Sequence, residues 1–309
     1  MKQYELKQKQ SLPLKSKIKM SERRIREWYN HWDGNVYVAF SGGRDSTVLL
    51  DVVRNIYPNV PAVFCDTGLE YPEIKEFVKS IDNVNIIRPE MNFKKVIEKY
   101  GYPVVSKKVA RTIRDLQNPT KENETTRNYY LTGIKGNGEK SNNFKLAKKW
   151  YKLIDAPFRV SEQCCDVMKK KPFHKYEKAT GKKCILGVMA DDSEQRTASY
   201  LVTGCNSFEH KIQSKPIAFW LQKDILKYIA DKKLDYSKIY DMGVNNTGCM
   251  FCMFGVHLEK EPNRFQAMKY THPKLYDYCI HNCGVGKVLD YIGVNYGNSD
   301  LRDYYKLKV

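Results

Sequence analysis

Short apolar runs that end in glycine loops, each followed by apolar positions at helical spacing, organise the first third of this chain. Val36 to Phe40 is rich in β-branched and aromatic residues and stops at Ser41-Gly42-Gly43, after which Val48, Leu49, Val52 and Val53 return at helical spacing. That pattern predicts strand, glycine loop, helix. A second unit repeats it, with Pro61 to Phe64 as strand, Cys65 to Gly68 as loop, and a helix opening near Pro72, a residue suited to a first turn. Asn85 to Ile87 and Cys184 to Val188 read as further buried strands. Together they predict an α/β fold: a mostly parallel sheet with helices on both faces, and ligands at the carboxyl ends of the strands.

The flanking patterns differ. Leu12, Leu14, Ile18 and Ile25 lie at roughly helical spacing in a segment with nine Lys or Arg and three Glu in its first 30 residues, so residues 1–33 read as a basic helical arm. Residues 34–240 are expected to form the α/β domain, whose strand-end loops make it the candidate nucleotide-binding part. Within it, residues 106–152 lose the pattern to Asn, Thr, Gly and Lys, with 12 basic against 4 acidic residues, and read as a solvated insertion. Beyond Pro216 the chain looks helical, with Ile225, Tyr228 and Ile229 on one stripe, and residues 241–309 read as a helical region packed on the domain.

Composition narrows the class. The chain has 309 residues, 42% hydrophobic and 12% aromatic, which is enough for a packed core. The formal charge of +18 implies polyanion partners such as tRNA or DNA. No apolar run approaches the ~20 residues of a membrane span, and the Lys-rich N-terminus lacks a signal-peptide apolar region. Nine cysteines, an odd number that includes adjacent Cys164-Cys165 and the pair Cys249-Met250-Phe251-Cys252, suggest thiolate ligands in a reducing compartment, so the cytoplasm is expected.

Chemistry gathers first at Ser41-Gly42-Gly43-Arg44-Asp45-Ser46. Two glycines let backbone N–H groups approach an anion, Ser41 and Ser46 add hydroxyls, and the helix that follows presents its positive end. This is a phosphate or sulfate cradle, and it is neither a Walker A loop nor a dinucleotide fingerprint. Asp66, Thr67 and Gly68 stand at the next strand end, where Asp66 is placed to meet a ribose hydroxyl or a nucleotide-bound metal such as Mg. Gly187 to Arg196 forms a third such loop, in which Ser193 and Arg196 are candidate oxyanion ligands or, more simply, Asp192 or Ser193 is a helix cap.

The cysteines form the second constellation. Cys164 and Cys165, then 83 residues, then Cys249 and Cys252 supply four soft sulfur ligands, which suit a 4Fe-4S cluster or a tetrahedral zinc. Spacing alone does not choose between them. Lys169, Lys170, Lys171, His174, Lys175 and Arg159 crowd the first pair and would temper the negative charge of thiolates and nucleotide.

Ser-Gly-Gly-Arg-Asp-Ser, Asp66-Thr-Gly-x-x-Tyr-Pro-Glu73, the Gly187 to Arg196 loop, and Pro216-Ile-Ala-Phe-Trp220 through Ile229 together resemble the phosphoadenosine phosphosulfate (PAPS) reductase family, within the adenine nucleotide alpha hydrolases and N-type ATP pyrophosphatases. The resemblance covers roughly residues 35–105 and 158–295. It implies an adenine nucleotide (ATP, APS or PAPS) on the Ser41 to Ser46 loop and an iron-sulfur cluster on Cys164, Cys165, Cys249 and Cys252, as in the APS-reducing branch, with zinc as the lesser occupant. Arg44 stands where Lys is common, and Met189 where an Arg is common. The family's C-terminal Glu-Cys-Gly-Leu/Ile-His segment is not found in Asp303 to Val309, which leaves Cys279 and Cys283 as the late thiols. Cys279 reads as packing. Arg44, Asp45 and Cys283 are the candidate catalytic groups.

Three functions are expected to compete. The first is a PAPS/APS reductase-like enzyme served by an electron or sulfur donor protein. The second is an ATP pyrophosphatase that activates a nucleic acid for thiolation, and the third a non-catalytic iron-sulfur nucleic-acid-binding module. The oligomeric state is open.

Overall fold

The computed structural model describes residues 2–209, 211–244 and 247–297. Among them lie eight strands: β1 Val36–Ala39, β2 Ala62–Cys65, β3 Val84–Ile87, β4 Val104–Val105, β5 Lys183–Leu186, β6 Asn206–Ser207, β7 Gln213–Ser214 and β8 Met253–Phe254. The chain divides into two compact units. The first comprises Met1–Asp66, Glu70–Arg88 and Pro172–Thr247, and the second Thr67–Leu69, Pro89–Lys171 and Gly248–Val309.

The first unit holds a six-stranded sheet in the order β3-β2-β1-β5-β7-β6. Every pairing is parallel except that of β6 with β7. Strand β1 sits between β2 and β5, with Val38 opposite both Ala62 and Ile185. Val36, Val38, Ala62, Val63 and Ile185 are fully buried, as parallel strands covered on both faces must be. The strand after β1 in sequence, β2, lies on one side of it and β5 on the other, so the strand order reverses at β1, which is where doubly wound sheets place ligands at the carboxyl edge. The α/β expectation holds. The antiparallel β6–β7 edge is additional to it, because two-residue strands leave no periodic trace.

The basic arm is an integral part of this unit. Its helices, Gln3–Ser11 and Leu14–His31, bury Ile25 and Trp28 completely. Lys17 Nζ, almost fully buried, donates to Asp224 at 2.5 Å and to the Gln10 carbonyl at 2.7 Å. Ser21 Oγ donates to the Pro216 carbonyl at 2.8 Å and accepts from Trp220 Nε1 at 3.0 Å. Ile225, Tyr228 and Ile229 are buried on helix Gln222–Lys232, as their stripe predicted.

The second unit corrects the reading of residues 106–152. In place of a solvated insertion, helices Lys107–Gln117 and Glu124–Thr132 bury Ala110, Ile113, Leu116 and Tyr130, and Trp150 and Leu153 are buried beyond them. This segment joins the Cys-x-x-Cys region through β4, which pairs in parallel with β8, and through Gly255, whose N–H donates to the Val105 carbonyl at 2.9 Å. The division therefore differs from the expected 34–240 and 241–309. The chain's last residues, 298–309, lie outside the described residues. No helix among the described residues is long and apolar enough to cross a membrane.

Candidate functional site

Strand β1 delivers the chain into a tight loop. Gly42 adopts φ +71°, and a Cβ there would lie 2.8 Å from Ile74 Cγ2, so this turn needs glycine. Helix Arg44–Arg54 starts immediately after it. Ser46 Oγ accepts from the Ser41 N–H at 3.2 Å, donates to the Gly43 carbonyl at 2.9 Å and lies 3.0 Å from Ser41 Oγ. The end of β5 closes on the same loop. A Cβ on Gly187 would lie 2.9 Å from Ser46 Cα, so only glycine lets the two backbones approach this closely.

Hydroxyl oxygens occupy the loop's donors. The Gly43 N–H donates to Ser41 Oγ at 3.3 Å and the Arg44 N–H to Tyr240 Oη at 3.0 Å, while Tyr240 Oη lies 3.0 Å from Thr247 Oγ1. An incoming oxyanion can take over these acceptor positions at a helix N-terminus. The Arg44 guanidinium lies over the Tyr240 ring, 3.9 Å from its centroid, and 5.3 Å from that of Tyr236. This cation–π clamp seats the guanidinium plane, a stacked contact that the point charge of a Lys would not reproduce. Sequence reading missed Tyr236 and Tyr240. Their one signal is the i, i+4 aromatic pair in Tyr236-Ser-Lys-Ile-Tyr240.

Asp45 feels the whole cluster. Burial, then the neighbouring Asp192 carboxylate, push its pKa up to about 6, while Arg196 and Arg44 pull it down. Asp45, Arg44, Asp192 and Arg196 therefore share one electrostatic neighbourhood. Ser193 Oγ accepts from the Arg196 N–H at 3.3 Å, so it caps helix Glu194–Thr203, and the Arg196 guanidinium pairs with Asp192. Asp66 is ion-paired with Lys75 at 2.8 Å and Arg88 at 3.5 Å. Thr67 and Gly68 belong to the second unit, where Thr67 Oγ1 accepts from the Leu69 N–H at 3.2 Å. Met189 is buried and contributes no charge.

All four candidate metal cysteines fall in the second unit. Cys164 is buried, and Cys165, Cys249 and Cys252 are half-buried. Burial first, then the charges of Cys249, Cys165 and Cys252, push the Cys164 thiol far up, and Lys169 opposes them. Burial likewise raises Cys252, with Cys165 adding to it and Arg264 and Lys107 working against it. The sequence thus brings both pairs into mutual electrostatic range, with cations beside them. Among the described residues, no three His, Cys, Asp or Glu side chains are gathered so as to hold a single metal ion. Buried and half-buried thiols with Lys169, Lys107 and Arg264 beside them are soft donors of the kind that hold either a zinc ion or an iron-sulfur cluster.

Cys283 does not suit the nucleophile's part. It is 3% exposed, and burial raises its thiol above the ordinary value, although Tyr278 and Lys94 partly offset this. An inaccessible thiol that resists ionisation is a poor attacking group. Cys279 is fully buried, in line with packing.

A family model of the phosphoadenosine phosphosulfate reductase domain matches residues 35–134 and 123–254, and the chain belongs to that family of sulfur-metabolism enzymes. An adenosine 5'-phosphosulfate reductase of Lysinibacillus sphaericus is 25% identical over 228 residues, 74% of this chain and 77% of that protein. Among solved structures, a phosphoadenylyl-sulfate reductase from Candida auris in complex with phosphate is 15% identical, with a TM-score of 0.45 over 81% of this chain and 96% of that one. A U34-tRNA thiolase from Methanococcus maripaludis with its 4Fe-4S cluster is 15% identical, with a TM-score of 0.38 over 93% of this chain and 84% of that one.

Proposed function

We propose that the chain is an adenylyl-sulfate reductase-like enzyme: it binds the phosphosulfate of an adenine nucleotide, APS or PAPS, on the Ser41 to Ser46 loop and holds a 4Fe-4S cluster on Cys164, Cys165, Cys249 and Cys252. The observation that carries this reading is the loop itself, whose backbone donors are turned onto replaceable hydroxyls at a helix N-terminus. In this role Gly43 and Arg44 donate backbone N–H groups to the anion, Ser41 and Ser46 add hydroxyls, and Arg44, clamped on Tyr240, supplies fixed positive charge. Asp45 takes up a proton as the dianion arrives, which lowers the repulsion between carboxylate and ligand. Gly187, Ser193 and Arg196 close the β5 side of the rim, and Asp66 remains the candidate for a ribose hydroxyl. Bound to the four thiolates, the cluster supplies one-electron redox capacity and a fixed local charge.

Reductive cleavage of the phosphosulfate S–O bond consumes two electrons and releases sulfite and the nucleoside phosphate. A dithiol donor protein supplies them. The test is sulfite release from APS and from PAPS by the anaerobically purified chain with a dithiol reductant. Release from one of them supports the reading, and no release with binding of neither contradicts it.

The +18 charge favours a second reading, an ATP pyrophosphatase that activates a nucleic acid for thiolation. Pyrophosphate released from ATP only when tRNA or DNA is added would select it.

A further inference from the structure

The first unit contains a cavity of about 300 Å³ that shares Ser193 and Arg196 with the proposed rim but whose remaining lining, Lys215 above all, that reading does not use. It lies where helix Glu194–Thr203, the end of β5 and strand β7 meet. Leu186, Val188, Met189 and Ala218 form an apolar side, and Arg196 and Lys215 stand among its polar residues. No acidic residue is among those that line it.

Lys215 makes the cavity unusual. It is 6% exposed, and its ammonium donates only to hydroxyls, Ser199 Oγ and Thr203 Oγ1, both at 3.2 Å. Its backbone N–H is fixed to the Cys205 carbonyl at 2.7 Å, so the side chain leaves from an anchored point of β7's end. Two neutral acceptors do not replace the hydration of a buried ammonium. The surrounding charge adds to the imbalance, because Lys211 opposes Lys215, and Lys9 and Arg24 act with Lys215 on the neighbouring Cys205. By contrast the arm's buried Lys17 has Asp224 directly opposite it. A buried cation with no carboxylate partner among the described residues, on the wall of a half-apolar cavity, calls for an anion with an apolar body.

We infer that this cavity is a second binding site, for a small organic acid whose phosphate, sulfate or carboxylate group meets Lys215 and whose body rests on Val188, Met189 and Ala218. None of Ser41 to Ser46 lines the cavity, so its anion position at Lys215 is distinct from the loop's, although Ser193 and Arg196 border both. Arg196, already paired with Asp192, adds directional donors, while Lys215 supplies the uncompensated charge.

The test uses the full chain carrying Gly43→Ala, because a Cβ on Gly43 would meet Thr247 Oγ1 at 2.9 Å and fill the loop. Isothermal titration with phenyl phosphate and with inorganic phosphate then reads the cavity with the loop weakened, and the Lys215 variants assign the signal to it. The expected result is one phenyl phosphate per chain, bound at least tenfold more tightly than inorganic phosphate. Adding Lys215→Gln, which keeps a donor for Ser199 and Thr203, is expected to weaken it at least tenfold, and Lys215→Met to do the same if the Gln variant does not fold. Equal affinity with and without Lys215, or no binding by the Gly43→Ala chain, overturns the site. Equal affinity for the two phosphates overturns the organic acid and leaves a free-oxyanion site. Adenine-nucleotide binding by the wild-type chain is a separate readout, so the failure of one site is not mistaken for that of the other.

Discussion

The loop after β1 and the cysteine pocket of the second unit are built on opposite principles. The loop is largely formed as it stands: the Ser41, Gly43 and Arg44 N–H groups have acceptors, the turn is fixed by glycine, and its cation is clamped by tyrosines. The pocket is unfinished. Its thiols raise one another's ionisation cost, and Lys169, Arg264 and Lys107 offset that only in part. A preformed backbone cradle can exchange an internal hydroxyl for a ligand oxygen at little cost, whereas a cluster of thiols is a stable arrangement only with its metal. The first unit is therefore expected to fold the same with or without ligand, and the second to depend on its cofactor.

The largest effect should come from breaking that dependence. Cys164→Ser or Cys252→Ser is expected to abolish the cluster's visible absorption and lower the thermal midpoint by about 10 °C or more. Nucleotide affinity measured at low temperature should change little. If the midpoint is unchanged, the pocket is as complete without metal as the loop is.

Next is the loop. Gly43→Ala or Gly187→Ala should weaken adenine-nucleotide binding about a hundredfold, roughly 2.7 kcal/mol, with iron content unaltered. A variant that binds normally would show that the anion does not sit between β1 and β5.

Much of this contrast was legible in the residues, and unevenly so. β1, β2 and β5 announced themselves because buried parallel strands concentrate Val, Ile and Phe in short runs bounded by glycine or proline; β3 forms where expected, but as the sheet's edge strand it leaves Asn85 and Ile86 exposed and is not the buried strand its sequence predicts. The helix Lys107–Gln117 did not: its core residues Ala110, Ile113 and Leu116 recur at helical spacing, but five Lys or Arg between 107 and 114 and 121 masked them. At the site, Ser41 to Ser46 and Gly187 could be read because glycine and serine at a strand end have few other uses. Tyr240 and Thr247 could not, since they reach Gly43 across about two hundred residues of chain. The four cysteines were paired by motif, and their proximity is a tertiary fact.

A smaller effect concerns pH. Asp45's folded pKa of about 6 lies above the unfolded 3.8, so the stability it contributes is fully present below pH ~4 and is lost as pH rises through 6. Asp45→Asn should flatten this part of the profile and raise stability at pH 7 by about 1–2 kcal/mol, discounted for partial exposure. Nucleotide affinity of the wild type should strengthen as pH falls through 6. Chemical denaturation and titration at pH 5 and 7.5 check both.

The smallest is Tyr240→Phe, which keeps the cation–π contact and removes the acceptor of the Arg44 N–H. It should cost about 0.5–1.5 kcal/mol of stability and leave nucleotide affinity within a few-fold, since the anion supplies the missing acceptor. A large loss of affinity would mean that Tyr240 binds the ligand directly.

The central claim is that one chain carries a preformed phosphosulfate cradle and a separate, metal-completed thiolate pocket. Its most direct test is a single anaerobic preparation of the full chain, assayed for iron, sulfide and zinc and then titrated with APS, PAPS and ATP. The account predicts about four irons and four sulfides per chain, with APS or PAPS bound more tightly than ATP. Zinc or no metal, together with no adenine-nucleotide binding, would contradict it.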